Sequence, residues 1–363
     1  MTSTTFELEY LLGAVSGTVG TETVSIGPFQ ISQQVLALAN ETTGLGLAGT
    51  GNSGILGLSF PLEASIPDTS GTTILENLLS AFNESDRFFA VRLGRDRNSS
   101  SFTIGKVDST FANSTSDLAW TPVYPAAGSP SRSELNSDVI YDYWKIPLHS
   151  LTINSTSFSL SNSRVHGSPT PIAVFDTGTT LILGPSNDVD RFWNSVGGAM
   201  KTDDGWKVRC DRGLNAGFVL GTGDSQKAYF VDPADLSWIE GGRDGDWCMG
   251  GIQANDAVSS GDWLLGDTFL RNVYIAHHVA TNSTPPMLGL LGLTDPNAAL
   301  ASFHSARGSD PTAPVPILSA AARTSHGLSG AAVCGISASG GVVFGVLLMA
   351  ALWLCLERRP NKY

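Results

Sequence analysis

Residues 6–39 alternate apolar and polar positions with the period of two that half-buried strands require. Gly13, Gly17 and Gly20 punctuate the run, and "SIGPFQI" reads as strand, turn, strand. The pattern then shortens. "SGILGLSFP" at 53–61 is an apolar run with two glycines, predicting a strand. Over 73–82, TILENLLSAF, the residues Ile74, Leu75, Leu78, Leu79 and Phe82 fall at helical spacing and predict one short amphipathic helix. "FFAVRLGR" and "SFTIGKVD" read as two strands joined by a polar loop, Asp96–Ser100. Residues 124–140 are rich in Pro and Ser and mark a lobe boundary or an inserted loop.

Beyond that boundary the strand pattern restarts in "YWKIPLHSLTIN", and "PIAVF" runs up to Asp176. Residues 186–196, SNDVDRFWNSV, predict a short helix with Ser186 as its N-cap. "DWLLGDTFLRNVYIAHHV", 262–279, predicts a strand, a turn at Gly266-Asp267 and a second strand. "SGILGLSF" at 53–60 and "DWLLGDTF" at 262–269 share apolar-apolar-Gly after a small or polar residue. That echo points to two related lobes, each with one such strand. Long amphipathic helices are scarce, so the chain is expected to be mainly β.

The last sixty residues depart from this pattern. Residues 300–330, rich in Ala, Ser and Pro, predict a flexible stalk. Residues 331–356 carry no charge, and these 26 residues exceed the roughly 20 that span a bilayer. Arg358, Arg359 and Lys362 follow in the tail 357–363, which places that tail in the cytosol and the globular part outside the cell or in a lumen. A lipid anchor is the alternative, since Ser329, Gly330 and Ala331 are small and an apolar tail follows a short spacer.

Composition narrows the function. Of 363 residues, 42% are hydrophobic and only 15% charged, and 40 are glycine, which suits buried sheets joined by tight turns. The net charge of −12 argues against nucleic-acid binding, because that affinity rests on Lys and Arg. Four cysteines are present, without a CxxC motif or a Cys/His cluster; His277 and His278 would face opposite ways on a strand. No metal and no cofactor is expected. Six Asn-X-Ser/Thr sequons, at Asn40, Asn83, Asn98, Asn113, Asn154 and Asn282, favour the secretory pathway. MTSTTFELEY has neither a basic n-region nor an apolar h-region, so it is not a signal peptide.

"AVFDTGTT", Ala173–Thr180, holds the candidate chemistry. Asp176 follows an apolar strand, which partly desolvates its carboxylate. Gly178 permits a tight turn whose N–H can point at that carboxylate, and Thr179 and Thr180 add hydroxyls within reach of it or of a bound peptide. A lone buried carboxylate would protonate and fail as a base. Two carboxylates sharing one proton do not: one activates a water and the other donates to the carbonyl oxygen. Asp68-Thr69-Ser70-Gly71 is not that partner, because an extra Ser breaks the turn and no apolar strand leads into it.

In order along the chain, "FELEYLLGAVSG", "SGILGLSFP", "FFAVRLGRD…SFTIGKVD", "YWKIPLHSLTIN", "AVFDTGTTLILGP" and "WLLGDTFLRNVYI" resemble the pepsin-like aspartic endopeptidases, peptidase family A1, over about residues 5–295. The resemblance implies a bilobal acid-protease fold. Its partial N-terminal lobe would be 1–123, its C-terminal lobe 124–299, then the stalk 300–330, a transmembrane helix 331–356 and the tail 357–363. It implies a monomeric endopeptidase that hydrolyses peptides in an interlobe cleft. Asp176 would be one catalytic aspartate, hydrogen-bonded by Gly178 and Thr179. Thr177 would join the threonine grip between the lobes, Thr180 would line the cleft and Tyr10 would close over substrate from the flap. Cys210 and Cys248 stand where the family's C-lobe disulfide is common.

Three departures accompany the resemblance. The family's first Asp-Thr/Ser-Gly precedes the flap, and this sequence starts just before the flap, so an N-terminally truncated chain is expected. Leu11 and Leu12 follow Tyr10 where the family has Gly and a hydroxyl residue, and His277 and His278 stand where it often has Asp. The alternative function is a catalytically inactive membrane protein of this fold that binds peptide or glycan.

Overall fold

The computed structural model describes residues 5–10, 13–44, 53–64, 71–96, 98–129 and 139–310. The alternating N-terminal pattern forms three antiparallel strands, Thr5–Tyr10, Gly13–Ile26 and Phe29–Thr43. Gly27 turns the second into the third with φ 56°, a conformation that suits glycine. Most of this sheet faces water, and along Phe29–Thr43 only Gln34 is buried. Helix Ile74–Leu79 packs behind it. Thr73 caps the helix in a reciprocal box with Glu76, and Leu75, Leu78 and Leu79 are buried. The helix stops three residues short of the predicted Phe82, whose ring instead meets Phe29 at 5.3 Å.

A five-stranded antiparallel sheet joins the two halves of the chain. Its order is Ser101–Ile104, Phe88–Arg92, Val273–His278, Met287–Gly292 and Ala119–Pro122. The C-terminal half carries an eight-stranded sheet. At its centre strand Trp263–Leu265 runs parallel to Ile172–Phe175 and antiparallel to Ile182–Gly184. Ile172, Ala173, Val174 and Phe175 are all buried, which explains their unbroken apolar run. Cys210 and Cys248 are disulfide-bonded, closing a smaller four-stranded sheet.

Four further expectations differ from the structure. Residues 53–58 form no strand among the described residues, and Ile55 and Leu56 are exposed. Ser186 is the first residue of helix Ser186–Val196 rather than its cap; Pro185 holds the cap position, and the Ser186 hydroxyl and N–H both bond to Asp256. The turn at Gly266-Asp267 is a short helix, Asp267–Leu270, because Gly266 O accepts from both Phe269 and Leu270. Helix Pro296–Arg307, capped by Asp295, runs into the stretch assigned to the stalk, so 300–307 is ordered helix.

The span 331–356, the tail and the Asp68–Ser70 triplet lie outside the described residues. Among the described residues no helix is long and apolar enough to cross a membrane. All six sequon asparagines are exposed.

His277 faces into the joining sheet, stacked on Phe89 at 4.4 Å and edge-on to Trp144 at 5.0 Å. Its Nδ1 is buried without a hydrogen-bond partner among the described residues. Burial pushes its pKa down to about 3, although a hydrogen bond with the Phe89 backbone opposes this. The unfolded chain therefore binds a proton that the folded chain refuses between about pH 6.5 and about pH 3, and stability falls as pH drops through that window. His277→Phe keeps the stacked ring and removes the titration. Its stability gain over the wild type is expected to grow by about 3 kcal/mol between about pH 7 and about pH 4. Chemical denaturation at both pH values checks this, and a gain independent of pH rules the argument out.

Candidate active site

Asp176 sits directly past the end of strand Ile172–Phe175. Its backbone N–H donates to Leu265 O at 3.2 Å, which ties it to the neighbouring parallel strand. Each carboxylate oxygen has its own donor: Gly178 N–H reaches Oδ1 at 2.8 Å, and the Thr179 hydroxyl reaches Oδ2 at 2.7 Å. Two such donors fix the orientation of the carboxylate. Thr179 is buried at 1% exposure while Asp176 is half-buried, so the group is held from below and open above.

The turn is closed by its neighbour. Asp267 N–H donates to Thr179 O at 2.8 Å, and Thr268 donates to Thr180 O through its N–H at 2.9 Å and its hydroxyl at 3.0 Å. These bonds need the two backbones to touch. A Cβ at Gly266 would overlap the carbonyl oxygens of Thr179 and Leu181, so glycine is required there. Thr180 is half-buried beside these contacts, and Thr177 and Gly178 are exposed at the tip.

Tyr10 ends strand Thr5–Tyr10 and pairs with Gly13, while its side chain, like Leu11 and Leu12, lies outside the described residues. Among the described residues no group of three His, Cys, Asp or Glu side chains could hold a metal ion. His277 and His278 do point to different surroundings: His277 is buried, and His278 lies against the carbonyl oxygens of Val279 and Glu84.

Two residues join the site that sequence reasoning passed over. The first is Asp267. Its Oδ1 is buried without a partner among the described residues. Desolvation pushes its pKa up to about 7; the Asp176 charge adds to the shift and Arg271 opposes it. One signal was legible, since Asp267 follows an apolar strand as Asp176 does. The second is Tyr143. Its ring packs against the cluster of Val174, Leu181, Leu183 and Leu264, and its hydroxyl donates to Glu63 at 2.6 Å. Burial, then Glu63, Asp142 and Asp176, raise its pKa.

Residues 1–284 match the family model described as eukaryotic aspartyl protease. The chain is 29% identical over 291 residues to "Major aspartyl peptidase 1" of Cryptococcus neoformans var. grubii, covering 76% of this chain and 55% of that protein. It is 27% identical over 284 residues to pepsin A of Sus scrofa, covering 77% and 66% of the two chains. Pepsin-3 of Oryctolagus cuniculus is 26% identical over 284 residues, with 77% and 65% covered. The chain thus spans between 55% and 66% of the length of these curated relatives.

Asp267 makes a stability test of the site. Its folded pKa of about 7 lies above the ordinary 3.8, so the folded chain keeps a proton that the unfolded chain loses. That contribution is whole below about pH 4 and is lost as pH rises through about 7. Asp267→Asn is expected to match the wild type near pH 4 and to exceed its stability at about pH 7.5 by about 4 kcal/mol. Denaturant titrations at the two pH values decide it; an equal difference at both contradicts the assigned titration.

Proposed function

Because the chain belongs to the eukaryotic aspartyl protease family, we propose that it serves peptide-bond hydrolysis at acidic pH, with Asp176 as one of two acting carboxylates. The observation that carries this is the cradle of Asp176. Gly178 and Thr179 supply one donor to each oxygen, and the open side of the carboxylate is left for water. In such chemistry one ionised carboxylate draws the proton from a water. The water attacks the peptide carbonyl, and the protonated partner donates to the carbonyl oxygen. The dyad then returns its proton to the leaving amine. Thr180 would line the peptide cleft and Tyr10 would close over it, with the protein acting as a monomer and without a cofactor.

Asp-Thr-Gly occurs once in this sequence. The second carboxylate would arrive on a strand paired with residues 53–58. Support comes from the echo between the lobes. Gly266 is wedged against the Asp176 loop, whereas the matching Gly57 has no atom of the described residues near the place of a Cβ, and Ile55 stands 74% exposed beside it. An apolar-apolar-Asp-Thr/Ser-Gly strand in that place would mirror Ile172–Thr179.

The outermost features complete the proposal. Residues 331–356 would span the bilayer once, or be replaced by a lipid anchor, and hold the globular part on the extracellular or lumenal side. The exposed sequons would carry glycans.

Native protein isolated from membranes is expected to cleave peptides at acidic pH and to be inhibited by a statine-containing peptide. Asp176→Asn should lower kcat at least about a thousandfold with little change in KM. Cleavage that resists the inhibitor and survives Asp176→Asn would falsify the proposal. Peptide or glycan binding without cleavage, unchanged by Asp176→Asn, is the outcome that favours an inactive binding protein; the single Asp-Thr-Gly is the feature on its side. Treatment with an N-glycosidase is expected to reduce the apparent mass of the native protein. An unchanged mass argues against the secretory assignment.

A further inference from the structure

One buried cation links the elements that carry the Asp176 loop. Lys145 is 1% exposed. Its backbone pairs with Val174, two residues before Asp176. Its Nζ donates to Asp142 Oδ2 at 2.7 Å and to the Ser260 carbonyl at 3.1 Å, at the approach to strand Trp263–Leu265. Asp142 uses its other oxygen as well: Oδ1 accepts from Tyr143 N–H at 2.7 Å. The carboxylate therefore holds the ammonium on one side and the backbone of Tyr143 on the other.

The same short turn is fastened to the other lobe. Ser59 donates to Asp142 O at 2.8 Å, Trp144 Nε1 donates to Leu58 O at 2.8 Å, and the Tyr143 hydroxyl donates to Glu63 at 2.6 Å. Tyr143 is the residue of this turn that packs against the apolar cluster containing Val174 and Leu264, which belong to the two paired strands leading to Asp176 and Gly266. The rise in its pKa includes a contribution from the Asp176 charge, which puts the phenol within electrostatic reach of that carboxylate.

A buried ion pair is a poor choice if the only need is stability. Desolvation of the two charges consumes most of the Coulomb gain, and apolar replacements of both partners are often neutral. What such a pair supplies is direction, because each hydrogen bond fixes an angle as well as a distance. Here the directed group is Tyr143.

We infer that the Asp142–Lys145 pair is a positioning device that sets Tyr143 as a wall of the peptide cleft beside Asp176. This deepens the proposed function and rests on its assignment of Asp176 to the cleft. Lys145 and Asp142 touch no substrate; they act through the tyrosine.

The test uses the full chain with fluorotyrosine at position 143, in the wild type and in Asp142→Asn/Lys145→Met. Fluorine NMR is read in each with and without Asp176→Asn. In the wild type, Asp176→Asn is expected to move the resonance of residue 143. In the double variant that shift should largely vanish, because the ring has left its place. An undiminished shift overturns the inference. The melting midpoint of the double variant should stay within about 5 °C of the wild type, since both charges are removed together. If the double variant fails to fold, Asp142→Ala, which removes the acceptor of both Lys145 Nζ and Tyr143 N–H and leaves Lys145 its bond to Ser260, serves the same comparison.

Binding of a statine-containing peptide adds a second readout. Tyr143→Ala should weaken it about tenfold in the wild type and have almost no further effect in the double variant. Equal losses in both backgrounds contradict positioning through Tyr143. If the wild type shows no Asp176-dependent binding, the proteolytic assignment falls, while the fluorine shifts still decide the role of the pair.

Discussion

The site depends on how closely two strand ends can pass. Trp263–Leu265 lies between Ile172–Phe175 and Ile182–Gly184, and past its end Gly266 presses against the carbonyl oxygens of Thr179 and Leu181. Only a residue without a Cβ allows this. The contact lets Asp176 N–H reach Leu265 and Asp267 N–H reach Thr179, which fixes the loop from both sides. The same closeness places two carboxylates, Asp176 and Asp267, just past strand ends in one partly desolvated neighbourhood. One is supplied with donors on both oxygens; the other has a buried oxygen without a partner among the described residues and holds its proton up to about pH 7. That asymmetry follows from the surroundings, one backbone N–H and one hydroxyl at Asp176, and not from the residue type, which is identical.

Asp267 and His277 have opposite effects on the pH dependence of the fold. The folded chain binds one proton more than the unfolded chain at Asp267 and one fewer at His277. Between about pH 4 and about pH 6.5 the two differences coincide and cancel. Within that range these groups impose a roughly constant cost and almost no slope. Outside it one of them acts alone: His277 on the acid side and Asp267 on the neutral side. A protein proposed to work in acid thus keeps a level stability across mildly acidic pH through two groups that each lower it.

Much of this was legible in the sequence where the local signal and the tertiary need agreed. The alternation over 6–39 gave its strands and its turn at Gly27, and the unbroken run before Asp176 matched a strand buried on both faces. The turn residues Gly178 and Thr179 reach the carboxylate as their chemistry suggested. Three features escaped because they depend on contacts far apart in the chain. Ser186 has the composition of a cap, yet Asp256, seventy residues away, takes both its donors. Gly266-Asp267 has the composition of a turn, but the passage against Thr179 continues it into a helix. The buried charge of Lys145 looks like an ordinary strand lysine until Asp142 and Ser260 are seen around its Nζ.

The segment 53–60 shows why a strand pattern need not produce a strand. Its second half is anchored: Leu58 O accepts from Trp144, Ser59 donates to Asp142, and the Phe60 ring packs on Trp144 at 4.4 Å and on Tyr141 at 5.6 Å. Its first half has no pairing strand among the described residues, and Ile55 and Leu56 remain in water. The echo at 262–269 has the same apolar-apolar-Gly order but lies between two strands, and its Leu264 and Leu265 are buried. The difference is therefore in the partners and not in the intrinsic preference of the residues, as strand formation generally is. The anchoring bonds come from the turn that Lys145 and Asp142 hold, so the segment that follows Gly57 is already fixed by residues 142–144. A strand that paired with 53–56 would enter a register set by those bonds.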